Sequence, residues 1–142
     1  MNVRTKKMTT ADYTRLADFR FALRRFFEFS ASAAITAGLT PQQHQALLVI
    51  RSSTKARASV GQLAERLCLK PNTAAELAKR LETGGWITRE TNSQDRRAVD
   101  LSLTKIGEAI LESLSQAHRR ELRQIGPEVT ELFQSLAEEE EA

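Results

Sequence analysis

Apolar and small side chains at alternating steps of three and four predict a long first helix over residues 10–36. Its seam consists of Leu16, Phe19, Leu23, Phe26, Ser30 and Ala33. Five of the six phenylalanines lie in this segment, on more of the helix circumference than one neighbouring helix can cover. We therefore expect some of these phenylalanines to be buried against a second subunit. Gly38 is expected to end the helix.

Capping signals predict three shorter helices. Residues 40–43 read Thr-Pro-Gln-Gln and residues 59–62 read Ser-Val-Gly-Gln. In each, the hydroxyl of the first residue can accept from the amide of the glutamine, and the glutamine side chain can accept from the amide of the first residue. The second helix runs to about Ser52, and the third is short. Pro71 opens a fourth helix, which Gly84 and Gly85 end.

The period then changes from helical to alternating. Residues 86–91 and 99–103 alternate apolar and polar side chains and are joined by a polar loop, which predicts a β-hairpin. Thr104 can cap the next helix, which we expect Gly126-Pro127 to interrupt before a last short helix. The fold class is therefore mainly α with a small β-hairpin wing, and its two short helices before a hairpin form a winged helix-turn-helix.

The composition fits a single globular domain. The chain has 142 residues, of which 41% are hydrophobic and 27% charged. No apolar run reaches the roughly 18 residues that span a bilayer, and no secretory signal follows the basic N-terminus. We therefore expect a soluble, cytoplasmic protein that does not bind a membrane. Cys68 is the only cysteine, which excludes an internal disulfide and suits a reducing compartment.

Charge is unevenly distributed along the chain. The net charge of +3 conceals a first part, residues 1–97, that holds 17 of the 21 Lys and Arg but only 8 of the 18 Asp and Glu. Such a basic segment suits a polyanion, although charge alone leaves nucleic acid, an acidic protein and a lipid surface open.

The fourth helix has one apolar and one polar face. Ala74, Leu77, Ala78 and Leu81 share the first, and the second can enter the major groove of double-stranded DNA. In the first turn, Asn72 and Thr73 suit base edges or phosphates, whereas Lys79 and Arg80 suit phosphates further along. The alternative interpretation is that these polar side chains are only exposed to solvent and do not bind DNA. The candidate DNA contacts of this helix are Asn72, Thr73, Ala75, Glu76, Lys79 and Arg80.

The tip of the predicted hairpin, residues 92–97, carries two arginines on a narrow projection. Arginine is the side chain favoured in a constricted minor groove. Asp95 can hydrogen-bond loop amides or hold an arginine in place. An exposed polar turn without function is the alternative, but it leaves the preceding helices unexplained.

A set of residues in register resembles the DNA-binding lobe of the MarR (multiple antibiotic resistance regulator) family over about residues 39–110. The set consists of Leu63-Ala64, Leu69, Thr73, Leu77, Arg80-Leu81-Glu82, Gly85, Ile87, Asp95-Arg96-Arg97, Leu101, Leu103-Thr104 and Gly107. The resemblance implies one domain over residues 1–142, with a DNA-binding lobe at 39–104 and a helical dimerisation region at 10–36 and 105–137.

The resemblance also implies roles. Arg97 would be the minor-groove residue, Asp95 its organiser and Arg96 a phosphate contact. The protein would be a homodimeric, ligand-responsive regulator bound to a pseudo-palindromic operator. Repression is the expected direction of regulation, although activation also occurs in the family. Glu76 departs from the family, whose members often carry a polar or basic residue there; it can accept a hydrogen bond from cytosine N4 or simply repel phosphates.

A small aromatic effector is a further implication of the resemblance. Phe26, Phe27 and Phe29 can line its pocket, although such side chains are more often plain core or interface. Two rival functions remain: a winged helix that binds an acidic protein partner, and a ligand-binding protein without a DNA function.

Other reactive residues show no pattern typical of catalysis. His44 and His118 have no metal-ligand spacing, so we expect satisfied or surface histidines and no metal. Cys68 lies between two leucines, which favours a buried, inert thiol over a redox sensor; the family's peroxide-sensing branch carries its reactive cysteine in the N-terminal helix. Phosphate-binding glycine loops and nucleophile elbows are missing from the sequence, so we expect neither an enzyme nor a cofactor.

Overall fold

A computed structural model describes residues 6–92, 94–95 and 97–138 of the chain. The helices among them are α1 (Thr10–Thr36), α2 (Pro41–Ser52), α3 (Val60–Leu67), α4 (Pro71–Thr83) and α5 (Lys105–Glu138), with a short 3-10 helix at Thr54–Ala56. Strands β1 (Ile87–Thr91) and β2 (Val99–Leu103) form an antiparallel hairpin. This mainly helical fold with a hairpin wing confirms the predicted fold class.

The chain divides into two compact units, one formed by Ala31–Gln116 and the other by the described parts of residues 1–30 and 117–142. The core of the first unit draws on α2, α3, α4 and the hairpin. Its largest fully buried side chains are Leu47, Ile50, Leu63, Leu81 and Leu101. Burial of a leucine or isoleucine contributes about 1.5 to 3 kcal/mol, so each of these positions contributes substantially to the stability of the unit that carries the candidate site.

Both predicted capping boxes are formed. The amide of Gln43 donates to Thr40 Oγ1 over 3.1 Å, and the amide of Thr40 donates to Gln43 Oε1 over 3.0 Å. Ser59 and Gln62 exchange the same two bonds, at 3.1 and 2.8 Å, at the start of α3. Each box satisfies two amides that the helix itself leaves without a partner, which fixes where α2 and α3 begin.

Replacement of Ser59 by alanine is expected to lower the free energy of unfolding by about 1 kcal/mol, because the amide of Gln62 loses its acceptor. Chemical denaturation of the purified variant measures this loss. Ser115→Ala, at an exposed position of α5, is the matched control and should be neutral or slightly stabilising. Equal stabilities of the two variants would contradict the capping role of Ser59.

The end of α4 and the start of α5 are joined through Gly85 and Trp86, the two residues before β1. Gly85 adopts a left-handed φ of +81°, which lets the amides of Gly85 and Trp86 bond the carbonyls of Glu82 and Leu81 at the end of α4. As predicted, Thr104 caps α5: its Oγ1 accepts from the amide of Gly107 over 3.1 Å. The same hydroxyl donates to the carbonyl of Gly85 over 2.7 Å.

The hairpin pairs Ile87 with Leu103 and Thr91 with Val99 at its two ends. On the other edge of β2, Ala58 exchanges both backbone hydrogen bonds with Leu101, at 3.0 and 2.8 Å. The segment before α3 therefore pairs with β2 through a single residue, on the edge of β2 that faces away from β1. This bridge anchors the base of the wing to the helical core.

The expectation of two C-terminal helices is wrong, because α5 continues from Lys105 to Glu138 with Pro127 inside it. A proline at this position removes one amide donor, whose acceptor would be the carbonyl of Arg123. Both Pro127 and Arg123 are exposed, so water can hydrate that carbonyl. The local signal of Gly126-Pro127 is thus overridden by the helix on either side.

Cys68 is exposed, which corrects the prediction of a buried thiol. It caps the C-terminus of α3 in a left-handed conformation with φ of 55°, and its amide bonds the carbonyls of Ala64 and Glu65. The neighbouring leucines, Leu67 and Leu69, are the side chains that turn towards the core. In a tight turn, an apolar neighbour on each side does not imply that the residue between them is buried.

In the second unit, α1 and α5 pack through aromatic side chains. The Phe19 and Phe133 rings lie 6.3 Å apart, and His118 meets the rings of Phe26 and Phe29 edge-on at 5.9 and 5.5 Å. His118 Nε2 lies 2.7 Å from Ser30 Oγ, which confirms a satisfied histidine.

Among the helices of the described residues, none contains an apolar stretch of the length that a membrane span requires.

Candidate nucleic-acid interface

The two faces of α4 separate as the sequence predicts. Ala74, Leu77, Ala78 and Leu81 are buried against the core, and the six candidate contacts from Asn72 to Arg80 are all exposed. The residues 68–70 form the tight turn between α3 and α4, where the amide of Leu69 bonds the carbonyl of Ala64 over 2.8 Å. Packing of α3 on the apolar face therefore holds the polar face of α4 outward.

Four side chains of α4, Glu76, Lys79, Arg80 and Thr83, line a shallow surface groove of about 290 Å³. Within it, Arg80 Nη2 lies 3.1 Å from Glu76 Oε1, an ion pair between residues one helical turn apart. The Glu76 and Arg80 side chains are 66% and 71% exposed, so this pair contributes little to stability. Its importance is geometric, because it shows an acceptor beside a fork of donors on the outward face.

The wing loop is organised by side-chain hydrogen bonds to backbone amides. Asp95 Oδ1 accepts from the amide of Arg97 over 3.0 Å, which confirms that Asp95 bonds a loop amide. Asn92 Oδ1 accepts from the amides of Gln94 and Asp95, at 2.8 and 3.3 Å. Arg97 is exposed, while Arg96 lies outside the described residues. The loop thus holds Arg97 on a constrained backbone.

Asn92 also organises this loop, a role that the motifs identified in the sequence do not predict. Besides its two amide bonds, its Nδ2 lies 3.3 Å from Asp100 Oδ2 on the opposite strand, and its own amide bonds the carbonyl of Ala98 over 2.9 Å. Asparagine is a common first residue of turns in which a side chain bonds the backbone two residues on. That preference is the signal that could have identified it.

The α4 face and the wing belong to the same compact unit, Ala31–Gln116. Arg89 Nε of β1 lies 3.3 Å from Glu82 Oε2, so an ion pair joins the last turn of α4 to the wing strand. The structure therefore brings the candidate contacts of α4 into one folded lobe with Asp95 and Arg97 of the hairpin.

The three candidate effector residues lie in the other unit and differ in exposure. Phe26 and Phe29 are half-buried against His118, whereas Phe27 is exposed. The Phe26 and Phe27 ring centroids are 5.9 Å apart. Their role in ligand binding stays a prediction.

Two helices in a tight turn, followed by a hairpin with an arginine at its tip, define the class of winged helix-turn-helix proteins. A sequence model of the MarR family matches residues 39–99. The chain is 33% identical over 113 residues to the HTH-type transcriptional repressor MdtR of Bacillus subtilis. The match covers 75% of this chain and 70% of that protein. The chain belongs to the MarR family of transcriptional regulators.

Solved structures agree with this fold. The MarR family regulator AbsC from Streptomyces coelicolor superposes with a TM-score of 0.73 at 20% identity, covering 93% of each chain. Sco3205 from the same organism, solved in complex with DNA, superposes with a TM-score of 0.71 at 21% identity, covering 94% of this chain and 86% of that one.

Proposed function

We propose that this protein is a ligand-responsive repressor that binds a pseudo-palindromic operator as a homodimer. In this proposal each protomer places α4 in a major groove and its wing in the adjacent minor groove. The observation that carries it is the division of α4: four buried apolar residues fix the helix to the core, and its whole polar face lies outward. Membership of a family of transcriptional regulators supports the same function.

The role of each contact follows from its chemistry. Asn72 and Thr73 lie in the first turn of α4, the part of a recognition helix that inserts deepest, and can bond base edges. Lys79 and Arg80 provide positive charge near phosphates, and Arg97 enters the minor groove. Ala75 is small and exposed, which allows close approach of the helix to the groove floor or to a thymine methyl group.

Exposed apolar side chains support the homodimer. In the unit built from the two ends of the chain, Phe21, Phe27 and Phe133 are 58%, 62% and 61% exposed. Tyr13 and Leu122 are exposed in the same unit. A second copy of the chain can cover these residues through a twofold axis, which also duplicates the α4 face.

Repression and an effector are proposed from different grounds. MdtR is named as a transcriptional repressor, and a dimer bound over a promoter blocks polymerase. A small aromatic molecule that binds near Phe26, Phe27 and Phe29 would release the operator if it prefers a different spacing of the two lobes. The rival that binds an acidic protein would use the same basic lobe.

Selection of genomic fragments with the purified protein tests the proposal. We expect enrichment of an inverted repeat whose half-site centres lie about 10 base pairs apart, with two protomers bound per duplex. A shuffled repeat of the same composition is the control. No enriched sequence, together with a stable complex with an acidic protein, would instead support the interaction module.

A further inference from the structure

The ion pair in the groove of α4 has a chemistry that addresses one base pair. We infer that Glu76 and Arg80 together read a single C·G pair in each half-site, with Glu76 accepting from cytosine N4 and Arg80 donating to guanine O6 and N7 instead of to a phosphate. This inference rests on the proposed function, because it requires α4 to enter a major groove.

The geometry supplies an acceptor and donors side by side. Arg80 Nη2 contacts Glu76 Oε1 over 3.1 Å, and both side chains are on the exposed face of α4. A carboxylate offers about four acceptor positions and a guanidinium five N–H donors, so one contact between them leaves most of this capacity for a ligand. Arginine binds G O6 and N7 through two parallel hydrogen bonds.

The order of groups on base edges selects among the four pairs. In the major groove a G·C pair presents two adjacent acceptors and then the N4 amine donor, whereas an A·T pair presents acceptor, donor, acceptor and a methyl group. Two donors of Arg80 beside the acceptor of Glu76 complement the first order. On an A·T pair the thymine methyl group faces a charged side chain and one arginine donor has no partner.

The negative charge of Glu76 gives the pair a second property. A carboxylate among phosphates is repelled unless a cation neutralises it and a base donor takes its hydrogen bond. Arg80 supplies the cation, and Lys79 adds positive charge beside it in the groove. Glu76 therefore penalises sequences that lack the cytosine amine, so it acts mainly by rejecting wrong sites.

Titration of defined duplexes tests this directly. The C·G pair of the selected operator that α4 addresses is replaced by T·A in both half-sites, and both duplexes are titrated with the wild-type protein and with Glu76→Ala. We expect the wild type to lose about 10- to 100-fold in affinity per half-site on the T·A duplex. Glu76→Ala should keep the share of the discrimination that Arg80 provides and lose the share that Glu76 provides, so its preference for the C·G duplex should be several-fold smaller than that of the wild type. It should also bind the T·A duplex more tightly than the wild type does, because the unpaired carboxylate is gone.

Two further variants separate base reading from charge. Glu82→Ala removes the same charge from the same helix, at a residue paired with Arg89, and should keep the full discrimination. Arg80→Lys keeps the charge but loses the planar fork, and should weaken binding to the C·G duplex by about tenfold with little effect on the T·A duplex.

Each outcome has a distinct meaning. If Glu76→Ala gains the same factor on both duplexes, Glu76 only repels phosphates and the inference is overturned. The inference is also overturned if the selected operator contains no C·G pair at which the preference of the wild type is reduced in Glu76→Ala. If no sequence is enriched at all, the proposed function fails together with the inference.

Discussion

Gly107→Ala is expected to lower the free energy of unfolding by about 3 kcal/mol or more, because a Cβ atom at this position collides with backbone. Gly107 is buried in the first turns of α5, and an added Cβ would overlap the carbonyl oxygen of Trp86. It would also lie 3.2 Å from the carbonyl carbon of Trp86 and 3.4 Å from Leu103 Cγ. Only glycine lets α5 approach the start of the hairpin this closely.

The Trp86 carbonyl cannot easily move aside. It accepts from the amide of Thr104 over 3.1 Å, and the Thr104 hydroxyl, whose shorter bond is to Gly85, lies 3.2 Å away. These contacts join the cap of α5 to the residue before β1. A shift of the carbonyl would therefore break the cap, and a shift of α5 would separate Leu111 and Leu114 from the core.

Thermal unfolding followed by circular dichroism measures the effect, and we expect the midpoint to fall by roughly 10 °C. Gly61→Ala is the matched control: Gly61 lies in the first turn of α3 with only Ser59 Oγ near the new Cβ, at an ordinary 3.7 Å. That variant should be stabilised by up to about 1 kcal/mol, since alanine favours the helix. Similar midpoints for the two variants would mean that α5 can withdraw from the hairpin at no cost.

The sequence predicts the features that short-range chemistry decides. The donor and the acceptor of each capping box lie within three residues of each other, so the local sequence is sufficient to predict where α2 and α3 begin. The face of α4 follows from its period, and the bond between Asp95 and the amide of Arg97 from the acceptor-only character of a carboxylate.

Features that depend on contacts distant in sequence could not be predicted in the same way. The passage of α5 through Pro127 depends on the helix on both sides and on hydration of one carbonyl, which outweigh the local signal. The exposure of Cys68 depends on a left-handed turn whose residue is neither glycine nor asparagine. The glycine at position 107 belongs to the family pattern, but the carbonyl that requires it comes from Trp86, far earlier in the chain.

Arg97→Ala is expected to weaken operator binding by about 1 to 3 kcal/mol and to reduce the salt dependence of binding. The exposed guanidinium extends from a backbone that Asp95 and the hairpin constrain, so less backbone freedom is lost when the side chain enters a narrow minor groove. Loss of one cationic contact per wing should lower the slope of log K against log salt by about 0.9, or about 1.8 for a dimer with both wings engaged.

Fluorescence titration of the selected operator at several salt concentrations provides both quantities. Arg120→Ala removes the same charge from an exposed position of α5 in the other compact unit, and should leave the slope and the affinity nearly unchanged. Arg97→Lys should restore most of the slope but not all of the affinity, because an ammonium group retains the charge yet is more strongly hydrated than a guanidinium. An Arg97→Ala protein that matches the wild type in both measurements would remove the wing from the proposed interface and leave α4 to bind alone.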